Sequence, residues 1–526
     1  MTITTAKLPD NVRTGRLPVI LRLTPLALAA MLLSAECHAD WRIAPRIDLR
    51  ESYSDNVGLQ SGGNGHGSFI SEAAPSINIS TTGPRLKLNA NAGWRLFAYS
   101  DRDAPNLQNS ERSYSGTAQA MLVDQLLYVD AGASSTRRAI SAFGPVSNNT
   151  FSSTNRTDIT TWRISPYLRH RFGSTADMTL RYMRDSVEGG TQVGFGNTMA
   201  TTRSADITSG SAFTTIGWNA SYYHQELSER RAGDSSSENS SIGLRWNLIR
   251  RFSLTTNVGY DKYEYPILNE STSGPSWMAG FIWTPSTRTS VQASFGHRYF
   301  GKTGLLRSSY RTQRSVWSLD YNDQITTSRS QFLLPAAIDT AAMLDSLFAA
   351  SFPDPAQRQQ AVQAYIAATG LPPTLADSIN YLSNRYIRVK RLNGAATFRG
   401  ARSNLTFTLY DEVRDALSMQ QSDSTLLLGQ LATLNDNTRQ RGVATYLDYR
   451  LSPRSKAYAN LSVSRVRSLS SDVTSDNNEI RLGLNHRFAP RTQGSLEVRR
   501  THGSLALVNG RGYHENALVA TLSVQY

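Results

Sequence analysis

A transmembrane antiparallel β-barrel of about twenty-two strands, interrupted by one small helical insert, is the all-β fold this sequence predicts. Three observations carry it: an export-type amino terminus, period-two alternation of apolar and polar residues, and short turns alternating with long polar loops. Composition agrees. Of 526 residues, 39% are apolar and 18% charged, and 55 Lys and Arg stand against 41 Asp and Glu for a formal net charge of +14. Ordinary soluble domains are richer in both classes; here Ser, Thr, Asn, Gly and Tyr fill the difference. The 17 Phe, 8 Trp and 23 Tyr exclude a disordered chain. No segment after residue 39 has the ~18 uninterrupted apolar residues of a membrane-spanning helix, which excludes a helical membrane protein.

The amino terminus sets the compartment. Lys7, Arg13, Arg16 and Arg22 precede an apolar run from Leu23 to Ala35, and Cys37-His38-Ala39 then places small residues three and one positions before Asp40. That order reads as a secretory signal peptide over residues 1–39, cleaved between Ala39 and Asp40, with the barrel over 40–526. Glu36 stands where a lipoprotein signal needs a small residue before Cys37. The single cysteine of the sequence leaves with the leader, so disulfides and cysteine-based zinc sites play no part in the expected mature chain.

Strands follow from alternation, because a barrel strand turns apolar residues to lipid and polar ones to the lumen. Leu86, Leu88, Ala90, Ala92, Trp94, Leu96 and Ala98 alternate with Lys87, Asn89, Asn91, Gly93 and Arg95. Phe252, Leu254, Thr256, Val258 and Tyr260 alternate with Ser253, Thr255, Asn257, Gly259 and Asp261. Ala457, Ala459, Leu461 and Val463 repeat the pattern, as do Met178/Leu180/Tyr182 and Leu405/Phe407/Leu409. A helix gives none of these.

Turns come next. Arg171-Phe172-Gly173-Ser174, Trp283-Thr284-Pro285-Ser286, Phe398-Arg399-Gly400-Ala401, Leu451-Ser452-Pro453-Arg454 and Phe488-Ala489-Pro490-Arg491 read as short turns beside an aromatic or aliphatic girdle. Between them lie Ser/Asn/Asp/Gly-rich stretches read as loops, such as Ser141 to Thr154, Ala232 to Glu238 and Ser468 to Asn478. Short turns on one side and long loops on the other is outer-membrane asymmetry. The chain ends Leu518-Val519-Ala520-Thr521-Leu522-Ser523-Val524-Gln525-Tyr526, which resembles the carboxy-terminal insertion signal of bacterial outer-membrane barrels, with Leu522, Val524 and Tyr526 as its apolar positions. The expected location is the bacterial outer membrane.

Reading phase forward from the first strand and backward from Tyr526 agrees only if Thr312 to Leu333 is a hairpin bending near Tyr321-Asn322-Asp323. Helical spacing then breaks the β pattern over 334–383: Met343, Leu344, Leu347 and Phe348 share one face, Asp354-Pro355 reads as an N-cap followed by Pro at the first helical position, and Val362, Tyr365 and Ile366 share a second face. By phase this insert belongs to the loop side, placed either to decorate the rim or to narrow the mouth.

Chemistry is thin. The sequence holds no G-x-S-x-G, H-E-x-x-H, Walker A or EF-hand motif, and no cofactor or metal is expected. His502 and Ser504, with Glu497 nearby, are the one hydrolytic combination to weigh, since a hydroxyl nucleophile needs an imidazole and an orienting carboxylate. Lys87, Arg95, Arg181, Arg298, Arg481 and Arg499 fall on inward positions, giving either a cationic lumen that draws acidic sugars or a wall of paired charges, since Asp177, Asp261 and Glu497 lie among them. Expected partners are outer-membrane lipid and lipopolysaccharide, the barrel-assembly machinery, polysaccharide and polysaccharide-export components, and no nucleic acid.

Trp41-Arg42-Ile43-Ala44-Pro45, followed by Glu51-Ser52-Tyr53-Ser54-Asp55-Asn56-Val57, resembles the opening of the outer-membrane barrels associated with the PEP-CTERM/exosortase system. There the first strand carries a Trp, then Pro, then E-x-Y-(S/T)-D-N-V, which maps the motif onto Tyr53, Asp55 and Asn56. The resemblance implies a role beside exopolysaccharide production, export or surface organisation. It implies no reaction, so it assigns no catalytic residue, and a diffusion porin remains the alternative from another class. From the residues alone, Asp55-Asn56 at a strand end either caps the first loop by side-chain to backbone bonds or binds sugar or a cation.

Overall fold

The computed structural model describes residues 41–63, 65–101, 107–145, 151–152, 154–189, 198–229, 233–265, 270–333, 386–417, 434, 437–471, 473–504 and 512–526. The expected leader with Ala39 and Asp40, and the helical insert expected over 334–383, lie outside these residues.

The first strands are β1 (Arg42–Ser54), β2 (Ser68–Thr82), β3 (Leu86–Tyr99), β4 (Ser110–Val123), β5 (Leu127–Ala139) and β6 (Arg156–Phe172). They continue as β7 (Ala176–Gly189), β8 (Thr198–Ser209), β9 (Ile216–Glu229), β10 (Gly233–Ile249), β11 (Phe252–Tyr265) and β12 (Glu270–Ser286). Next come β13 (Thr289–Arg298), β14 (Gly301–Arg311), β15 (Ser315–Thr327) and the short helix α1 (Ser328–Leu333). The wall is completed by β16 (Tyr386–Arg399), β17 (Ser403–Ala416), β18 (Thr438–Arg450), β19 (Ser455–Ser468), β20 (Thr474–Ala489), β21 (Thr492–Ser504) and β22 (Gly512–Gln525).

Every strand pairs antiparallel with its sequence neighbours, and β1 pairs with β22 from Arg46↔Gln525 to Ser54↔Ala517, closing a 22-stranded barrel. Closure leaves no strand edge unpaired, which a lipid environment demands. Alternation assigns the faces as the sequence predicts: Leu254, Val258 and Tyr260 are exposed on the outside, whereas Asp261 is wholly buried. An apolar exterior of this kind on a closed barrel makes the protein an outer-membrane β-barrel.

Two sequence expectations are corrected. Thr312 to Leu333 is not a hairpin: β15 runs straight through Tyr321-Asn322-Asp323, and the missing reversal is the tight turn at Tyr299-Phe300 between β13 and β14. Gly301 permits that turn with a φ of 106°, and a distant residue fastens it. Arg388 donates to the carbonyls of Phe300 and Lys302 at 3.3 and 2.6 Å and pairs with Asp323 through bonds of 2.8 and 2.7 Å. The second correction concerns the Ser-rich stretches: all of 233–238 and 474–478 is strand in β10 and β20, not loop. Their outward positions carry few apolar residues because the strands there rise beyond the lipid band.

Candidate functional site: the lumen wall and the loop-side mouth

Inward positions form a belt of alternating charge. Arg50 meets Glu72 at 2.9 Å, Glu72 meets Arg95 at 3.6 Å, and Arg95 meets Glu111 at 3.1 Å, a run across four adjacent strands. Arg137 extends it, 3.8 Å from Glu111 and 3.0 Å from Asp158. Elsewhere in the wall Glu412 holds both Arg391 and Arg414, with Glu412 and Arg414 wholly buried.

Five of the six inward cations expected from the sequence are paired. Arg95 belongs to the belt. Arg181 meets Asp130 at 2.9 Å, Arg298 grips Asp261 through two bonds, Arg481 meets Glu479 at 2.6 Å, and Arg499 meets Glu515 at 3.2 Å. Lys87 is exposed, and among the described residues it forms no ion pair. The reading of these six as a broadly cationic lumen is therefore corrected: a guanidinium neutralised by a neighbouring carboxylate contributes little field. Asp177 pairs with Arg171 at 2.8 Å, and Glu497 accepts the Tyr458 hydroxyl at 2.6 Å.

Tyrosines lie between these pairs. Tyr128 and Tyr167 stack with centroids 5.1 Å apart, and the Arg181 guanidinium lies 4.1 Å above the Tyr167 ring. Tyr446 and Tyr458 stack at 6.2 Å. Tyr446 is buried, whereas Tyr128, Tyr167 and Tyr458 keep part of their surface exposed beside fixed polar groups.

The hydrolytic combination does not assemble. Glu497 lies on the inward face with Arg499 and Thr501, while His502 follows the outward positions Val498 and Arg500 and is exposed. Ser504 is occupied in the strand pairing, its hydroxyl accepting the Asp476 amide at 2.8 Å.

Asp55 and Asn56 act at the seam where the barrel closes. The Asp55 carboxylate accepts the Asn516 backbone N–H and side-chain amide, each at 2.7 Å. Buried Asn56 donates to the carbonyls of Gln60 and His514 at 2.8 and 2.9 Å and accepts the Gln60 N–H at 2.9 Å. The motif therefore caps the first loop and also ties it to β22. Tyr53 faces outward against Phe69, 4.9 Å between centroids. At the other end of the seam the Tyr526 N–H reaches the Pro45 carbonyl at 2.9 Å, Leu522 is exposed outward, and Val524 lies opposite Ile47.

Over the loop-side mouth, chain segments pack on one another. Phe143 from the β5–β6 loop is buried against Leu434 from the β17–β18 connection and Val466 of β19. Phe151 joins Val57, Ile70 and Phe97. Helix α1, which opens the connection between β15 and β16, reaches across to β7 and β8: Arg329 pairs with buried Asp185, donates to its carbonyl at 3.2 Å, and donates to the Thr198 hydroxyl at 3.0 Å. Burial pushes the Arg329 guanidinium down, to about 10, which leaves it charged at neutral pH. On the far side of the insert, Tyr386 packs on Tyr263 and lies 3.5 Å from the Ser235 hydroxyl of β10. Sequence reading missed this roof because its partners lie on strands far apart in the chain.

No protein-family model and no curated protein matches the chain. Among solved structures it is similar to the siderophore receptor PirA from Pseudomonas aeruginosa, at 10% identity, with 92% of this chain and 80% of that one covered and a TM-score of 0.45. It is similar to the FrpB iron transporter from Neisseria meningitidis (F5-1 variant), at 10% identity with coverages of 92% and 82% and a TM-score of 0.49. The ferric-catecholate import receptor Fiu from E. coli K12, in its open form, shows 9% identity, coverages of 91% and 81%, and a TM-score of 0.48.

Proposed function

We propose that this outer-membrane barrel serves exopolysaccharide export or surface organisation, its lumen being the path or docking surface for a polysaccharide chain. One observation carries the reading: the partly exposed rings of Tyr128, Tyr167 and Tyr458 lie on the inward face beside charges that are already paired or hydrogen-bonded. A sugar ring lays its C–H face on an aromatic ring while its hydroxyls bond to flanking polar groups, and already neutralised charges do not hold the chain in place. The opening strand's resemblance to barrels of the PEP-CTERM/exosortase system supports the same role. Polysaccharide-export components and the barrel-assembly machinery are the partners it calls for.

A strain lacking the protein, scored for secreted polysaccharide, tests the proposal; loss of secreted polymer restored by the wild-type chain is the expected result. Normal output with slowed uptake of small solutes selects the diffusion-porin reading, which the weak field of a charge-paired wall favours.

A further inference from the structure

At the turn side of β13 to β20 the charge pattern reverses. The ladder extends one step past β15–β16, β17–β18 and β19–β20, and at each step two arginines stand opposite one another. The Arg399 amide donates to the Arg314 carbonyl at 2.7 Å, Arg450 to Arg402 at 2.7 Å, and Arg487 to Arg454 at 2.8 Å. Arg311 and Arg288 repeat the arrangement at 2.8 Å beyond β13–β14.

Their neighbours fix the face. Phe398, Tyr449 and Phe488 are exposed on the lipid side, so Arg399, Arg450 and Arg487 take the lumen side by alternation. Opposite residues share a face, which places Arg314, Arg402 and Arg454 there as well.

Like charges directly opposite destabilise a sheet, and here they recur at four successive strand pairs. The turns between them hold no acidic residue: Thr312-Gln313, Gly400-Ala401, Leu451-Ser452-Pro453 and Phe488-Ala489-Pro490. Among the described residues none of these arginines forms an ion pair, whereas exposed outward arginines nearer the loops do. Arg439 and Arg441 share Asp411, Arg465 takes Asp476, and Arg203 takes Glu226. In the next lumen row Asp448 is held by the Asn404 amide at 3.1 Å and attracts Lys456 and Arg450 through space without an ion pair to either.

At one end of this row lies a cavity of ≈480 Å³ on the lumen face, whose lining includes Arg454, Lys456, Arg487, Tyr458 and one carboxylate, Glu497, which accepts the Tyr458 hydroxyl. Three cations unpaired among the described residues and an aromatic ring, against a single carboxylate that is already hydrogen-bonded, suit a carboxylated sugar. Phospholipid headgroups are the other anions at this depth, but the collar that meets lipid is the outward set of Phe398, Tyr449 and Phe488, not the arginines.

We infer that the turn-side arginine pairs form an anion-selective mouth that takes acidic polysaccharide, a uronate-bearing chain, into the lumen. A ring of arginines raises the local concentration of a polyanion at its entrance, and the paired wall above lets the chain pass. This deepens the proposed function by naming the substrate class.

The experiment uses the full-length protein in detergent and follows fluorescence anisotropy of labelled oligogalacturonate, with a labelled maltooligosaccharide of equal length as the neutral probe. Two variants remove the same charge: R314Q/R399Q/R402Q/R450Q at the mouth, and R203Q/R439Q/R441Q/R465Q nearer the loops. Wild type should bind oligogalacturonate in preference to the neutral sugar, more weakly as salt rises. The mouth variant should lose about tenfold or more, and the loop-side variant should stay close to wild type. Heat-modifiable gel mobility verifies folding, and R402Q/R450Q alone serves if the quadruple variant does not assemble.

Equal loss in both variants, or equal binding of the neutral sugar, overturns the inference. So does unchanged oligogalacturonate binding accompanied by loss of co-purifying anionic phospholipid, which assigns the arginines to headgroups. If the deletion strain secretes normally while the mouth variant loses binding, the export reading falls and the anion mouth stands; the reverse pair of results does the opposite.

Discussion

Along β13 to β20 the two ends of the barrel treat arginine in opposite ways. At the loop side Arg329 is buried against Asp185 on the far wall, and Arg388 is clamped on Asp323 and two carbonyls. At the turn side Arg399, Arg402, Arg450, Arg454 and Arg487 are exposed and form no ion pair among the described residues, and Arg399, Arg450 and Arg487 each stand opposite another arginine. Between the ends, the wall pairs Arg50, Arg95, Arg298 and Arg499 with acids. Burial explains the paired arginines of the wall and of the α1 contact. A charge removed from water needs a partner, so wherever arginine supports structure a carboxylate accompanies it. An arginine left exposed without one keeps its field available to a ligand.

The largest expected effect lies in the wall. Glu412 is the counterion of Arg414, and both are wholly buried. Glu412→Ala strands that guanidinium, a loss of about 3 to 5 kcal/mol by analogy with other broken buried pairs. Urea midpoints of heat-modifiable mobility should fall sharply, with little assembled protein recovered. A near-normal midpoint would mean that water reaches Arg414 and that the wall resembles the mouth more than the comparison allows.

Next comes the contrast between the faces. Val258 points to lipid and neighbouring Asn257 points inward. Arg on the lipid face near the midplane costs about 2 to 4 kcal/mol, so Val258→Arg should lower assembly yield while Asn257→Arg is tolerated. Equal losses would show that the register of β11 is shifted by one residue.

Alternation made most of this legible. The outward set from Phe252 to Tyr260 and the turns at Arg171 to Ser174 and Phe398 to Ala401 lie where the sequence put them, because each depends on residues adjacent in the chain. The pairing of Arg50 with Glu72, Arg95 with Glu111 and Arg391 with Glu412 was within reach, since these residues are directly opposite one another in register. Treating inward charges singly concealed it. Arginines flanking successive short turns are equally plain in the sequence, yet only strand pairing shows that they face one another. The turn at Tyr299-Phe300 was not legible, because Arg388, far along the chain, supplies its anchors. Nor was the Arg329 contact, whose partners are 144 residues apart.

That contact gives the third prediction, which concerns opening more than stability. Asp185→Asn removes the charge that holds α1 across the loop-side mouth. In planar bilayers its conductance should exceed wild type, and deleting residues 339–380 should raise it further if the insert fills the same mouth. Unchanged conductance in both variants would reduce the loop-side roof to packing that leaves the pore as it was.

The smallest effect is expected at the turns, and its sign is the informative part. Arg402 stands opposite Arg450, and among the described residues neither forms an ion pair, Asp448 acting on Arg450 only through space. Arg402→Gln therefore removes repulsion and forfeits no ion pair, and because both side chains are exposed the gain is small and screened by salt. The urea midpoint should rise slightly at low ionic strength and return to the wild-type value in high salt. A fall would show that attraction to Asp448 outweighs the repulsion and bring the mouth under the same rule as the wall. A small, salt-sensitive rise would instead mark the arginine row as carried at a cost to the apoprotein, as expected of residues whose counterion arrives with the ligand.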